Sequence, residues 1–457
     1  MGRSGWMGQS GWTARSGWTA QAAALGTLTL ALALGLGCGD DDGSSDAGGP
    51  DAGSLDAAFD GGSDAGPPVD AGPPPPPPSE PGRHDVELVD TRQIIPGDGL
   101  PAETPPMASN NNVDVVRHEG RVYLGWRTGP DHFANEEVVM HVISSEDEVS
   151  WRHEVSFDLD TDLREPRFLS WDGRLFFYFS VLGTNRYAFE PMGVRATELQ
   201  EDGSWSEPVD IGMTGYVVWR TKEVGGTPYM TAYLGGEHIY MFDGEPLDVE
   251  LRTTSNGIDW TPLTPSAEPE QTWVYRGGGS ESDFAIGDDG TLYAVIRNEA
   301  GDETGWGSLV CSAPAGDLAA WSCTHDPKKY DSPRMFWHDG EAYLLARRNV
   351  TETGFYDLMH ERGTDMWKTI QYQTDYSSQP KRCALWRWVR GEGRIAWVMD
   401  LPSRGDTCFP AILRGASEGE IIVYDYSNDL EGPDLAWNVG QRGETRIYRH
   451  TLRFTTR

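Results

Sequence analysis

Apolar and aromatic residues alternate with polar ones in six stretches of one design, each rising to a turn that contains glycine and leaving it again. They are VDVVRHEGRVYLGWR (113–127), PRFLSWDGRLFFYFS (166–180), VVWRTKEVGGTPYMTAYLG (217–235), SDFAIGDDGTLYAVIRN (282–298), PRMFWHDGEAYLLARRN (333–349) and FPAILRGASEGEIIVYDYS (409–427). The turn glycines are Gly120, Gly173, Gly226, Gly290, Gly340 and Gly419. A period of two around such turns predicts β-hairpins, because glycine accepts the positive φ of a tight turn. A repeat every 50 to 80 residues or so matches one four-stranded propeller blade with its loops. The pattern therefore predicts an all-β chain folded as a six-bladed β-propeller. The stretch DVELVDTRQII (85–95) precedes the first hairpin and is left over. It is the strand expected to complete the last blade, which ends in TRIYRHTLRF (445–454), and so to close the ring.

Three parts follow from the composition. Residues 1–37 read as a signal peptide, with Arg3 and Arg15 ahead of the apolar AQAAALGTLTLALALGLG (20–37). LGLGC (34–38) resembles the bacterial lipobox, which implies cleavage before Cys38 and its lipidation. Residues 38–82 then form a tether rich in Asp, Gly and Pro without a single Lys or Arg. Low hydrophobicity and like charge forbid a core there, so the tether is expected to be disordered, with polyproline II at Pro73–Pro78. Residues 83–457 are the propeller. This organisation predicts a lipid-anchored monomer of the bacterial cell envelope that meets the membrane through its anchor alone.

Charge and cysteine content narrow the partners. Of the net charge of −34, the tether holds −10 and the leader +2, leaving about −26 on the propeller. Nucleic acid is thereby an unsuitable ligand. Besides Cys38 the chain has Cys311, Cys323, Cys383 and Cys408. Outside the cytoplasm these predict two disulfides, Cys311–Cys323 and Cys383–Cys408. No paired Cys or His spacing implies a metal, and nothing implies a cofactor.

Candidate chemistry concentrates where the innermost strands enter, since six strand ends converge there on one axis. Those places read WRTGPDHF (126–133), LREPRF (163–168), VVWRTK (217–222), GSESDF (279–284), DSPRMF (331–336) and GDTCFP (405–410). Arg127, Arg164, Arg167, Arg220 and Arg334 are the candidate anion-binding residues, because guanidinium grips a planar anion through paired N–H groups. The competing reading has these arginines tying blades together through carboxylates. Asp131, Glu165 and Glu281 are the candidate catalytic carboxylates, with His132 and Phe133 beside Asp131 as substrate contacts.

The turns SSEDEVSW (144–151), QEDGSW (200–205) and TTSNGIDW (253–260) resemble the S-x-D-x-G-x-T-W Asp-box of the sialidase superfamily, with the Asp replaced. SESDFAIGDDGTLYAVIRN (280–298) is similar to the superfamily's strand pair in which a Glu assists the nucleophile and an Arg binds the sialate carboxylate. Glu281 and Arg297 stand in those places. The resemblance implies a sialidase-like propeller with a glycan ligand. Two positions depart from it: NNNVDVV (110–116) lacks the arginine of the family's opening strand, and Phe409 stands where the nucleophilic tyrosine begins the last blade. Tyr424 and Tyr426 on the next strand read as packing residues. Two functions follow from the sequence, a surface-tethered glycoside hydrolase acting on glycan termini and a non-catalytic propeller that binds a glycan or protein.

Overall fold

Each of the six alternating stretches forms the inner hairpin of an antiparallel sheet, in a computed structural model that describes residues 74–241, 243–302, 305–351 and 366–457. The leader, Cys38 and residues 38–73 of the tether lie outside the described residues. Strand β1 (His84–Ile95) belongs to the last blade. The first blade is β2 (Ser109–His118), β3 (Arg121–Gly129), β4 (Val139–Ser145) and β5 (Arg152–Phe157), and the second is β6 (Leu163–Trp171), β7 (Arg174–Leu182), β8 (Pro191–Glu198) and β9 (Val209–Asp210). The third is β10 (Tyr216–Val224), β11 (Thr227–Leu234), β12 (Leu247–Thr254) and β13 (Trp260–Pro262), with β14 (Tyr275–Gly277) added against β12. The fourth is β15 (Gly279–Ile286), β16 (Leu292–Asn298), β17 (Ser308–Ala313) and β18 (Ser322–Asp326). The fifth is β19 (Asp331–His338), β20 (Glu341–Asn349), β21 (Lys381–Val389) and β22 (Arg394–Asp400). In the sixth, β23 (Ala411–Arg414), β24 (Glu420–Ser427) and β25 (Arg446–Thr456) are completed by β1, which pairs antiparallel from His84↔Thr456 to Ile95↔Ile447. The first and last strands of the propeller thus share one sheet, and closure hides the edges that would otherwise pair with other molecules.

The six turn glycines have φ between +71 and +86°. In Glu119-Gly120, Asp172-Gly173, Gly225-Gly226 and Asp339-Gly340 both turn residues are left-handed, the two-residue turn whose twist matches that of its strands. The core lies between blades. Phe157, Phe168, Phe177 and Phe179 fill one such seam, and Ala285, Val295, Leu344 and Trp386 another. The loops between second and third strands all emerge at the end opposite the hairpin turns. The fifth carries α1 (Met366–Ser378) and the sixth α2 (Trp437–Gly440).

Both disulfides form. Cys311 and Cys323 face each other across β17 and β18, while Cys383 on β21 reaches Cys408 at the entry of the sixth blade. The Trp-bearing turns need one correction. Asp147 Oδ1 accepts the N–H groups of Val149 and Ser150 at 2.9 and 2.8 Å, and Asn256 Oδ1 those of Ile258 and Asp259 at 2.9 and 2.8 Å. The acceptor survives in both turns, one residue later than the Asp-box spacing places it. Trp151 and Trp260 are buried behind them.

Candidate functional site

Near the end opposite the hairpin turns, five of the six inner strands are interrupted. Pairing slips between Asn111 and Val113, Arg164 and Arg167, Val218 and Arg220, Gly279 and Ser282, and Asp331 and Arg334. In the sixth blade Cys408, with φ +78°, occupies the corresponding place. Asn112, Glu165 and Ser332 are also left-handed, at +47, +54 and +53°. Such a conformation costs a side-chain-bearing residue about 1–2 kcal/mol and persists only where its surroundings enforce it. A β-bulge re-aims the residue it inserts. Here the inserted residues meet: Asn112 Nδ2 donates to Glu165 Oε1 at 3.0 Å, and the Ser332 N–H donates to Glu281 Oε2 at 2.6 Å.

The fourth and fifth blades build a buried ion cluster. Arg297, at the end of β16, donates to Glu281 Oε1 at 2.6 Å, lies 3.1 Å from Asp331 Oδ1 and pairs with Glu299. Asp331 also accepts the Tyr376 hydroxyl from α1 and faces Arg347 at 3.8 Å. Three carboxylates around Arg297 raise its proton affinity further despite burial. The guanidinium is committed to protein groups on several sides. Arg347 in turn donates to the carbonyls of Thr407 and Cys408 at 2.6 and 3.4 Å, joining the fifth blade to the sixth.

Glu165 differs from the other carboxylates. Apart from Asn112 it contacts Arg167 Nη2 at 3.3 Å, and burial, with Glu281 adding repulsion, pushes its pKa up to about 7. Beside it, Phe409 from the sixth blade meets Trp219 from the third, ring centroids 5.2 Å apart, so the two rings close the axis between opposite blades. The Arg167 guanidinium lies 4.5 Å from the Phe409 centroid and that of Arg220 5.4 Å. Phe409 is thus a buried plug under two cations. Tyr426, one strand over, reaches the site wall, where its hydroxyl donates to Asp406 Oδ1 at 3.0 Å. Tyr424, two residues earlier on the same face and fully buried, donates to Glu148 of the first blade at 2.7 Å.

The first two blades supply the rest of the rim. Asp162 accepts Arg127 Nε at 3.0 Å and Arg164 Nε at 2.6 Å. Arg127 further donates to the carbonyls of Asp131 and Phe133 at 3.1 and 2.8 Å, and Arg164 to that of His132 at 2.6 Å. Both arginines therefore hold the 131–133 loop, and Arg127 is fully buried. Asp131 leans outward to Arg186 at 2.6 Å, with Arg186 half exposed. His132 points inward, its Nδ1 2.7 Å from Asp406 Oδ2, and its Nε2 has no hydrogen bond among the described residues. Asp406 is buried and also accepts Trp437 Nε1 at 2.9 Å, and these contacts hold its carboxyl below its usual pKa.

The bulge ring thus brings Glu165, Glu281, Arg167 and Arg297 to one end of the axis. His132 and Arg164 stand on the rim, Asp131 faces away, and Arg220 and Arg334 follow their bulges on β10 and β19. Arg127 and Arg297 sit on second strands, whose ends lie level with the entries of the first. Asn112, Asp162, Glu299, Asp331, Tyr376 and Asp406 were not singled out from sequence. One signal could have found the bulges: Pro166 and Pro333 sit inside inner strands, where proline cannot join the ladder and marks a bulge.

No family model matches this sequence, and neither does any curated protein. Solved structures do match in fold. A Trypanosoma rangeli sialidase mutant displaying trans-sialidase activity superposes with a TM-score of 0.51 at 12% identity, over 75% of this chain and 54% of the other. The Trypanosoma rangeli sialidase itself gives 0.51 at 12% identity, over 76% and 55%. Its complex with sialic acid gives 0.50 at 12% identity, over 76% and 54%. The chain therefore has the sialidase propeller fold and spans about half the length of these enzymes.

Proposed function

We propose that this chain is a sialidase-like glycoside hydrolase that acts on neutral glycan termini. It would be carried on the bacterial cell envelope by lipidated Cys38 and the 38–82 tether, as a monomer. The observation that carries the reading is Glu165, a strained, buried carboxyl with a pKa near 7 whose charge is coupled to Glu281. Two carboxyl groups with environments this different can divide the work of glycoside cleavage. Glu165 retains its proton near neutrality and is the general acid toward the leaving oxygen. Glu281, fixed by Arg297 and the Ser332 N–H, is the carboxylate on the other side. His132, oriented by Asp406, and Arg164 line the rim for hydroxyl contacts.

Neutral sugar is favoured because Arg297 already faces Glu281, Glu299 and Asp331, which leaves no charge deficit for a sialate carboxylate. Phe409 supplies no nucleophilic oxygen. A fold neighbour solved in complex with sialic acid supports a carbohydrate ligand. Strand β1 begins at the hairpin-turn end, opposite the bulge ring.

The test is a panel of nitrophenyl glycosides of neutral hexoses and N-acetylhexosamines, run beside a sialoside. Turnover is expected on a neutral substrate, at least about 100-fold lower in Glu165→Gln, and falling as pH rises through 7 because the acid form is required. Sialoside turnover that outruns every neutral substrate would overturn the choice of sugar. A second reading, a non-catalytic glycan-binding propeller, is favoured by the same neutralised Arg297. It requires saturable glycan binding with no turnover in either wild type or Glu165→Gln.

A further inference from the structure

Below the bulge ring the axis is lined by three arginines whose N–H groups are not all taken by the protein among the described residues. Arg167, Arg220 and Arg334 follow the bulges of the second, third and fifth blades. Arg167 and Arg220 are fully buried. Arg220 donates Nε and Nη2 to a single acceptor, the Pro333 carbonyl, both at 3.2 Å. Among the described residues neither Arg220 nor Arg334 makes an ion pair. Arg220 Nη1, Arg167 Nε and Arg334 Nε are buried N–H groups without an acceptor among the described residues.

The acidic groups nearby are engaged elsewhere. Asp283 takes Lys222 at 2.5 Å and the N–H groups of Phe284 and Met335 at 2.8 and 2.7 Å. Asp114 takes the Phe168 N–H at 2.8 Å. Among the described residues Glu165 meets only Arg167 and Asn112. Burial depresses the ionisation of Arg220 most, Arg167 and Arg334 add to it and Asp283 and Asp114 oppose it, while Lys222 is lowered by burial against the pull of Asp283. A guanidinium cannot shed its proton to escape this repulsion, and a buried charge without a partner is strongly unfavourable.

We propose that Arg167, Arg220 and Arg334 form a buried binding site for a small inorganic anion of the halide class, lodged in the axis beside the Trp219–Phe409 plug. The chemistry of the spare donors selects the ligand. They are single N–H groups from three different strands, which suit a spherical ion that accepts from several directions. A carboxylate or phosphate calls instead for the paired edge of one guanidinium. The site uses N–H groups that the hydrolase reading does not, although Arg167 also meets Glu165 through Nη2.

The experiment uses the full chain. Melting temperature is measured across sodium chloride and sodium bromide titrations against sodium gluconate at fixed ionic strength, and crystals soaked in bromide are read for anomalous scattering. Chloride and bromide are expected to raise the wild-type melting temperature saturably by about 2–4 °C, with a bromide peak among the three guanidinium groups. Arg220→Gln should lose the halide response. If that variant does not fold, Arg334→Gln, whose side chain has no partner to lose, provides the comparison. Equal melting in chloride and gluconate, or a soaked crystal with no bromide at this place, overturns the assignment. Displacement of bromide by sialic acid or another sugar acid would also overturn it, by making the trio a carboxylate seat.

Discussion

At one end of the inner hairpins, Glu119-Gly120, Asp172-Gly173, Gly225-Gly226 and Asp339-Gly340 repeat one turn with the same backbone signs. At the other end the same strands carry bulges, left-handed Asn112, Glu165, Ser332 and Cys408, and a different side chain in every blade. The regular end satisfies its backbone locally and tolerates water. The irregular end gathers Glu165, Glu281, Arg297, Asp331 and Arg220 out of water, and each needs a partner from a neighbouring blade. Bulges and buried charge therefore coincide at one end, where a binding site needs preorganised polar groups.

The largest expected effect lies in the ion cluster. Arg297→Ala leaves Glu281, Glu299 and Asp331 facing one another without their shared cation, and a broken buried ion network costs about 3–5 kcal/mol. Urea denaturation should show a loss of that size. Had Arg297 been held free for a ligand, the same change would leave stability nearly untouched and abolish anion binding alone. A near-neutral result would erase the distinction between the two ends.

Glu165 gives a second measure, through pH. Its folded pKa, about 7, lies above the unfolded value of 4.5. A raised carboxyl contributes stability that is complete below pH 4.5 and lost as pH rises through 7. The difference between wild type and Glu165→Gln should therefore shrink in favour of the variant by about 3 kcal/mol between pH 4.5 and 8. Asp425, also raised to about 7, has the same sign, and Lys222, lowered to about 7, the opposite one. Both cancel in the comparison of the two proteins. A pH-independent difference would mean that Glu165 is ionised in the fold and cannot be the acid.

The regular end was legible in the sequence because its determinants are local. Alternation fixes the strand faces, and Asp172-Gly173 or Asp339-Gly340 fixes the turn within two residues. The leftover strand at 85–95 followed from counting hairpins, and the cysteine pairs from their number and spacing. The irregular end depends on which side chains six distant strands bring together. Arg127 and Arg164 looked like ligand groups, yet Asp162, two residues before Arg164, holds both. Phe409 looked like a lost nucleophile, and its partner Trp219 comes from the opposite blade, 190 residues away in sequence. Asp131 stands beside His132 in sequence but faces Arg186, whereas Asp406, distant in sequence, meets His132 in space.

The smallest effect belongs to the hairpin end and sharpens the contrast from its other side. Gly173 has φ +71°, and a Cβ placed there would meet nothing within 4 Å. Gly173→Ala then costs only the left-handed conformation of alanine, about 1 kcal/mol. Gly257, at φ +82° in a Trp-bearing turn, carries the same backbone demand, but its Cβ would stand 2.3 Å from Cζ of buried Phe176. Gly257→Ala should cost about 1–3 kcal/mol more, because the ring must move within a packed seam. Urea midpoints of the two variants at one pH measure the difference directly. If Gly173→Ala proved as costly as Gly257→Ala, the open turn would have a partner that its surroundings do not reveal, and the hairpin end would no longer be a purely local structure.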